Sequence, residues 1–231
     1  MAGAVTGAAC GANINSPSTS THAVLGQPKG TPLVLGQPAP AGTGQLSAVA
    51  CANAERCWAV GVAGATSSAT LPATVIIATK DGGKKWRAQA VRGSVIPQLS
   101  GISCPTTRDC IAVGSTGASV PGSDVAYTTS DGGAIWSPAT APPGALDMTN
   151  VQCASVSDCT AIMSTGSVLA AAHTADFGQS WQTEGNLPGG FLAEGDLSCD
   201  GTGTCLVAGY VPTSAGHGQG AIALSADGGQ T

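Results

Sequence analysis

The chain has 231 residues and a net charge of −5, with 8 basic side chains in all. It therefore has no basic patch with which to neutralise phosphates, which argues against nucleic-acid binding. Only 9% of residues are charged, while 34 are glycine and 14 proline, a balance that predicts many tight turns between short strands.

Residues 1–44 carry neither of the repeated features described below. The small-residue start Met1 to Cys10 lacks the basic segment of a full signal peptide. Three readings of it stand: the tail of a shortened signal sequence, an arbitrary fragment boundary, or a lipoprotein cleavage site that would make Cys10 a lipid anchor. Against the last, Gly7 stands where such sites favour Leu. The doubled Leu-Gly-Gln-Pro (Leu25 to Pro28 and Leu35 to Pro38) and the Ser/Thr/Pro content predict a loose leader or part of a blade. No run of about 18 apolar residues follows anywhere, so no membrane-spanning helix is expected.

From residue 45 the chain repeats itself. Eight of nine cysteines form four pairs with five residues between partners: Cys51/Cys57, Cys104/Cys110, Cys153/Cys159 and Cys199/Cys205. Even pairing at one local spacing predicts disulfides and an oxidising, extracytoplasmic location, secreted or at the cell surface. Zinc fits less well, because each pair lies in its own repeat and a structural zinc needs four ligands together. No cofactor or metal set is expected.

Each pair is followed by a Ser/Thr-x-Asp-x-Gly-x-x-Trp motif. The copies are Thr79, Asp81, Gly83, Trp86; Thr129, Asp131, Gly133, Trp136; Thr174, Asp176, Gly178, Trp181; and Ser225, Asp227, Gly229, where the sequence ends before a Trp. The Asp residues recur 50, 45 and 51 residues apart, and the first cysteines 53, 49 and 46 apart. Two independent markers thus share a period close to that of a propeller blade. In each repeat an inner strand leads into the first Cys, a second strand leaves the second Cys, a third enters the Asp motif and a fourth leaves through the Trp. The fold class expected is all-β: a β-propeller of four-stranded antiparallel blades, about four of them present, an incomplete ring from a larger propeller or one that a partner or another copy of the chain closes. The blades fall at approximately 45–97, 98–145, 146–190 and 191–231, together a propeller domain over 45–231 preceded by the 1–44 leader.

The motif's chemistry reads as mechanical. An Asp carboxylate can accept backbone N–H groups of the turn that follows, and Gly supplies positive φ. The Ser/Thr hydroxyl is expected to tie the two strands, and the Trp to cover the seam between blades.

These residues resemble the Asp-box, or bacterial neuraminidase repeat, of sialidase-like β-propellers. The resemblance covers most of the chain and implies the propeller fold. It leaves function open, because such repeats occur in sialidases, xyloglucanase-like hydrolases, sortilin ectodomains, photosystem II stability-factor-like propellers and surface proteins without known activity. A sialidase would further imply three arginines, a Tyr/Glu pair and an Asp acid/base. Arg56 and Arg108 sit instead in cysteine turns, Arg87 follows a motif Trp, Arg92 has only a distant Arg-x-x-x-x-Pro echo, and Tyr127 and Tyr210 are the sole tyrosines. No catalytic set is therefore assigned.

A xyloglucanase-like hydrolase needs two carboxylates across the scissile bond. Outside the motifs and cysteine turns, Asp124, Asp147, Glu184, Glu194 and Asp196 remain; Asp147, Glu194 and Asp196 lie near starts of inner strands, where a propeller lines its mouth. Asp109 and Asp158 occupy matching turn positions. His22, His173 and His217 share no spacing that suggests a metal set or triad. The functional expectation is an extracytoplasmic binding or scaffold module. Its loops Gly64–Thr70, Gly117–Ser123 and Thr213–Gly220 would form a rim for a protein or carbohydrate ligand. The alternative is a fragment of a sialidase-like or xyloglucanase-like glycoside hydrolase.

Overall fold

The computed structural model describes residues 39–64, 74–92, 98–117, 124–166, 168–192, 196–200, 202–213 and 218–227. These residues build four antiparallel sheets and, among them, no helix. Blade 1 is β1 (Thr43–Cys51), β2 (Cys57–Ala63), β3 (Thr74–Thr79) and β4 (Trp86–Ala88). Blade 2 is β6 (Gln98–Ser103), β7 (Cys110–Ser115), β8 (Asp124–Thr129) and β9 (Ile135–Ala139); blade 3 is β10 (Asp147–Cys153), β11 (Cys159–Ser164), β12 (Leu169–Thr174) and β13 (Gln182–Asn186). Blade 4, the blade expected to be truncated, has three strands among the described residues, β14 (Leu197–Cys199), β15 (Cys205–Pro212) and β16 (Gly218–Ser225).

Strands within a blade follow chain order, each antiparallel to the next. The inner strands of successive blades lie against one another, β1 on β6, β6 on β10 and β10 on β14, which gives the β-propeller arrangement. One strand stands outside the expected scheme. The chain leaving blade 1 forms β5 (Ala90–Val91), which pairs in parallel with β9 of blade 2, and Arg92 N–H then donates to the Trp136 carbonyl at 2.8 Å. Blade 1 thus straps the outer edge of its neighbour.

Alternation along each strand gives every blade two apolar faces. The front face carries side chains one and three residues after the second cysteine, with their cross-strand partners on the third strand. In blade 1 these are Trp58 opposite Ala78 and Val60 opposite Ile76. The rear face carries alternate inner-strand residues, such as Leu99 and Ile102 of β6. Trp58, Val60, Ile76 and Ala78 pack with Leu99, Ile102, Ala112, Tyr127 and Trp136 in the seam between blades 1 and 2. Ile111, Val113 and Ala126 meet Met148, Val151, Ala161 and Trp181 in the next seam. A smaller cluster joins Ile162 to Phe191, Leu197 and Val207. The core is therefore a row of seams, and each motif Trp in the first two belongs to the following blade.

Candidate functional site

At one end of the propeller lie the cysteine turns and the Asp motifs. The four expected disulfides are present, Cys51–Cys57, Cys104–Cys110, Cys153–Cys159 and Cys199–Cys205. They form because the partners stand opposite each other at the hairpin end, as the registers Cys51 to Cys57, Cys153 to Cys159 and Cys199 to Cys205 show. Four disulfides indicate an oxidising environment. Among the described residues no helix is long and apolar enough to cross a membrane.

The motif acids are occupied by their own turns. Asp81 Oδ1 accepts from Thr79 Oγ1 at 2.8 Å and Lys85 N at 2.9 Å. Asp131 Oδ1 accepts from Thr129 Oγ1 at 2.7 Å and Ile135 N at 3.2 Å. Asp176 accepts from Thr174 Oγ1 and Ser180 N at 2.8 Å, and from Ser180 Oγ at 2.6 Å. Asp227 Oδ1 accepts from Ser225 Oγ at 2.7 Å. The hydroxyl does not tie two strands, as its position beside the strand end had suggested; it closes its own turn, accepting from Gly83, Gly133 and Gly178 N at 3.0, 3.0 and 2.9 Å. Those three glycines have φ of +86°, +84° and +78°, a region that Cβ-bearing residues avoid. Gly229 lies outside the described residues.

These bonds stabilise the ionised carboxylates. The Ser180 hydroxyl and backbone hold Asp176 down at about 2. Asp131 is lowered chiefly by the Thr129 hydroxyl, and Asp81 by the Lys85 N–H. In Asp81, Asp131 and Asp227 one carboxylate oxygen, and in Asp176 both, are thus engaged by the motif's own turn.

Between blades 3 and 4, at the same end, a cleft of about 410 Å³ is lined by Asp158, Thr160, His173, Asp200, Thr202 and Asp227, among others. His173 Nε2 lies 3.1 Å from Asp158 Oδ1. Asp109, at the matching turn position of blade 2, accepts from Thr106 Oγ1 at 2.6 Å. Thr160 and His173 face each other across β11 and β12 at the register positions of Trp58 and Ala78 in blade 1. The cleft therefore lies at the seam position that Trp136 and Trp181 fill between the earlier blades. Among the described residues no group of three or more His, Cys, Asp or Glu is arranged to hold a metal ion.

At the opposite end, where second strands pass to third strands and inner strands begin, two acids come together. Asp124 is the first residue of β8 and is 7% exposed; Asp147, half-buried, is the first residue of β10 in the next blade. Ser115 links them: it is the cross-strand partner of Asp124, and its hydroxyl bonds Asp147. Asp124 Oδ2 and Asp147 Oδ1 are buried without a hydrogen-bond partner among the described residues. Burial, and secondarily the Asp147 charge, pushes the Asp124 carboxyl above its ordinary range. Burial also raises Asp147, against the pull of Ser115. Unpartnered buried carboxylate oxygens cost free energy, and sites of function are where folds retain them.

The sequence named both acids but grouped Asp147 with Glu194 and Asp196. Asp196 is exposed just before β14, and Glu194 lies outside the described residues, as do Cys10, His22 and His217. The loops proposed as a rim are described only at their ends, by Gly64, Gly117, Thr213 and 218–220. Tyr127 is buried in the seam between blades 1 and 2, and burial raises its hydroxyl. Arg87, Arg92 and Arg108 are exposed and Arg56 is half-buried, with Arg108 Nε donating to the Ser130 carbonyl at 3.2 Å.

No protein-family model matches the sequence, and no curated protein sequence matches it. Solved structures do resemble the fold. One is the propeller protein YCF48 bound to D1 peptide, 18% identical with a TM-score of 0.50, the match covering 76% of this chain and 52% of that one. Another is the GH74 xyloglucanase from Xanthomonas campestris, 15% identical with a TM-score of 0.52, covering 78% of this chain and 29% of that one. The chain thus spans about half the length of the first and under a third of the second. At these identities the likeness is one of fold.

Proposed function

We propose that residues 45–231 form an extracytoplasmic Asp-box propeller that acts as a binding module, with 1–44 as its leader. Its ligand docks on the end bearing the Gly64–Thr70, Gly117–Ser123 and Thr213–Gly220 loops. The observation that carries this reading is the Asp124–Asp147 pair at the starts of β8 and β10, with two buried oxygens that have no hydrogen-bond partner among the described residues. Hydrogen-bond donors suit it: sugar hydroxyls, or the amide and ammonium groups of a peptide. That a propeller of similar fold holds a peptide supports the feasibility of the peptide case.

The test is to screen the folded chain against immobilised glycans and peptides, then titrate the captured ligand calorimetrically into Asp124→Asn and Asp147→Asn. Loss of at least tenfold in affinity for both, with Asp158→Asn at the far end unchanged, is expected. A ligand indifferent to both loop-end substitutions overturns the reading.

One observation favours a second reading. A carboxyl held above its ordinary range beside another carboxylate is the arrangement a glycosidic general acid needs. Turnover of a β-glucan or sialyl substrate, abolished by Asp124→Asn or Asp147→Asn, would establish it in place of binding alone.

A further inference from the structure

The total of 8 basic side chains is low, but the chain gathers them. Six lie between Arg56 and Arg92 and a seventh is Arg108, whereas residues 146–231 hold eight acids and no Lys or Arg. Positive charge among the described residues is thus confined to blades 1 and 2, mostly at the end that carries the cysteine turns and Asp motifs.

Lys80, Lys84 and Lys85 are exposed on the motif turn of blade 1. The Gly82 N–H ties that turn to the Glu55 carbonyl at 3.0 Å, which sets Arg56 of the cysteine turn beside it. Arg56 reaches across the seam: its Nη1 lies 3.6 Å from where a Cβ on Gly132 would sit, in the motif turn of blade 2. Arg108 approaches the same turn from its own blade through the Ser130 carbonyl, at 3.2 Å. These side chains form one cationic strip over two blades, and among the described residues none of them is in an ion pair. Of the acids in the strip, Asp81, Asp109 and Asp131 each have an oxygen engaged by a threonine hydroxyl. The exposure belongs to the turn itself and not to an open neighbouring face. In blades 2 and 3, each flanked by a blade on both sides, the positions of Lys80 and Lys84 are held by Ser130 and Ala134 and by Ala175 and Gln179, all exposed.

Cations at the surface make contacts that are individually weak and screened, so such a strip selects a polymer whose many charges act together over a small ion. None of the large exposed apolar side chains among the described residues belongs to turns 52–56, 80–85, 105–109 or 130–134. A protein interface is centred on apolar or aromatic anchors, and a membrane-surface element inserts an apolar face; a hydrated polysaccharide needs neither. Those turns also carry no aromatic platform for unstacked bases, and disulfides are rare in the compartments that hold nucleic acid. Carboxylate and sulfate groups match the arginine fork and the lysine point charge. We propose that this strip, at the opposite end from the Asp124–Asp147 pair, binds an acidic polysaccharide through its carboxylate or sulfate groups.

Binding of the full 231-residue chain to immobilised polygalacturonate and heparin tests the proposal, with dextran, double-stranded DNA and phosphatidylglycerol vesicles as comparisons. Binding to at least one of the two acidic polymers is expected, and which one is bound tells carboxylate from sulfate; dextran should not bind. Affinity should fall at least tenfold as salt rises from about 50 to about 300 mM. The triple variant Lys80→Gln, Lys84→Gln, Lys85→Gln, at exposed positions and verified as folded by circular dichroism, is expected to bind about tenfold more weakly. Adding Asp158→Asn, Glu184→Gln and Asp196→Asn restores the net charge of −5 and is expected to leave binding weak, because the place of the charges decides. Recovery in that combined variant overturns the proposal, as does unchanged affinity in the triple variant or failure to bind either acidic polymer. Tighter binding to DNA or to the vesicles overturns the choice of polysaccharide.

Discussion

The Gly132 N–H donates to the Arg108 carbonyl at 2.9 Å, joining the Asp motif of blade 2 to the turn inside its own disulfide hairpin. Gly82 to Glu55 and Phe177 to Ser157 repeat the bond, each at 3.0 Å, always to the residue two before the second cysteine. The two repeated features of the sequence are therefore parts of one clasp at the end of each blade. The disulfide closes strands one and two, the Asp motif closes strands three and four, and this bond joins the two closures.

The buried threonine of the motif is the member least open to substitution. Thr129 is 3% exposed, donates to Asp131 and accepts from the buried Gly133 N–H. Thr129→Val keeps the shape and leaves that N–H without a partner, so a loss of about 1–3 kcal/mol is expected in urea unfolding. Thr174→Val is expected to behave alike, while Thr128→Val, on the other face of the same strand, is expected to change stability by less than about 0.5 kcal/mol. Equal effects at 128 and 129 would refute the clasp.

Stability should respond to acid in two opposed ways. Asp81, Asp131, Asp176 and Asp200 are held below the ordinary value of 3.8 by hydrogen bonds from Lys85 N–H, Thr129, Ser180 and Thr202 respectively. Their contribution is present above 3.8 and is lost as pH falls through the folded values, a window reaching about 2 for Asp176. Asp124 and Asp147 are raised, so their contribution is present below 3.8 and is lost as pH rises through their folded values. Melting temperature should therefore rise from neutral pH toward about 4 and fall below it. The double variant Asp124→Asn, Asp147→Asn should flatten the rise and leave the acid limb in place. A rise that persists in the double variant would show that other groups cause it.

The disulfides give a count that can be checked. The four bridges hold eight of the nine cysteines, so reducing the denatured chain should raise its count of free thiols by eight. Cys153→Ser with Cys159→Ser removes a bridge whose sulfurs lie in the seam between blades 2 and 3. The short loop it closes sets the expected loss at about 2 kcal/mol.

The blades were legible in sequence because their markers are local. A Cys hairpin and an Asp turn each fit within about ten residues, so their repetition survives whatever the intervening loops do. The same locality explains what was missed. Asp124 and Asp147 lie in different blades, and they meet only because β8 and β10 begin at the same end of adjacent sheets, with Ser115 between them. Strand β5 was also invisible, since Ala90 and Val91 carry no signal that they will pair with Ile135 and Trp136. Phe177 departs from the glycine found at 82 and 132, yet takes the same left-handed turn, at φ +59°. Its ring packs against the seam cluster of blades 2 and 3, which offsets a conformation that its Cβ disfavours.

Equal motif positions should not carry equal energies, and the tryptophans test this. Trp136 is 0% exposed between blades 1 and 2, and Trp181 is 6% exposed between blades 2 and 3, with Nε1 donating to the Thr140 carbonyl at 2.9 Å. Trp86 holds the same place in the first motif but is only partly buried, and the seam clusters do not include it. Truncating a fully buried Trp removes its transfer free energy and opens a cavity between two sheets, so Trp136→Ala is expected to cost about 3–5 kcal/mol. Trp86→Ala removes a side chain that water already reaches, and should cost well under half of that. Denaturant unfolding of both variants measures the two losses. Equal losses for Trp86 and Trp136 would mean that the motif tryptophan acts within its own blade and not across the seam.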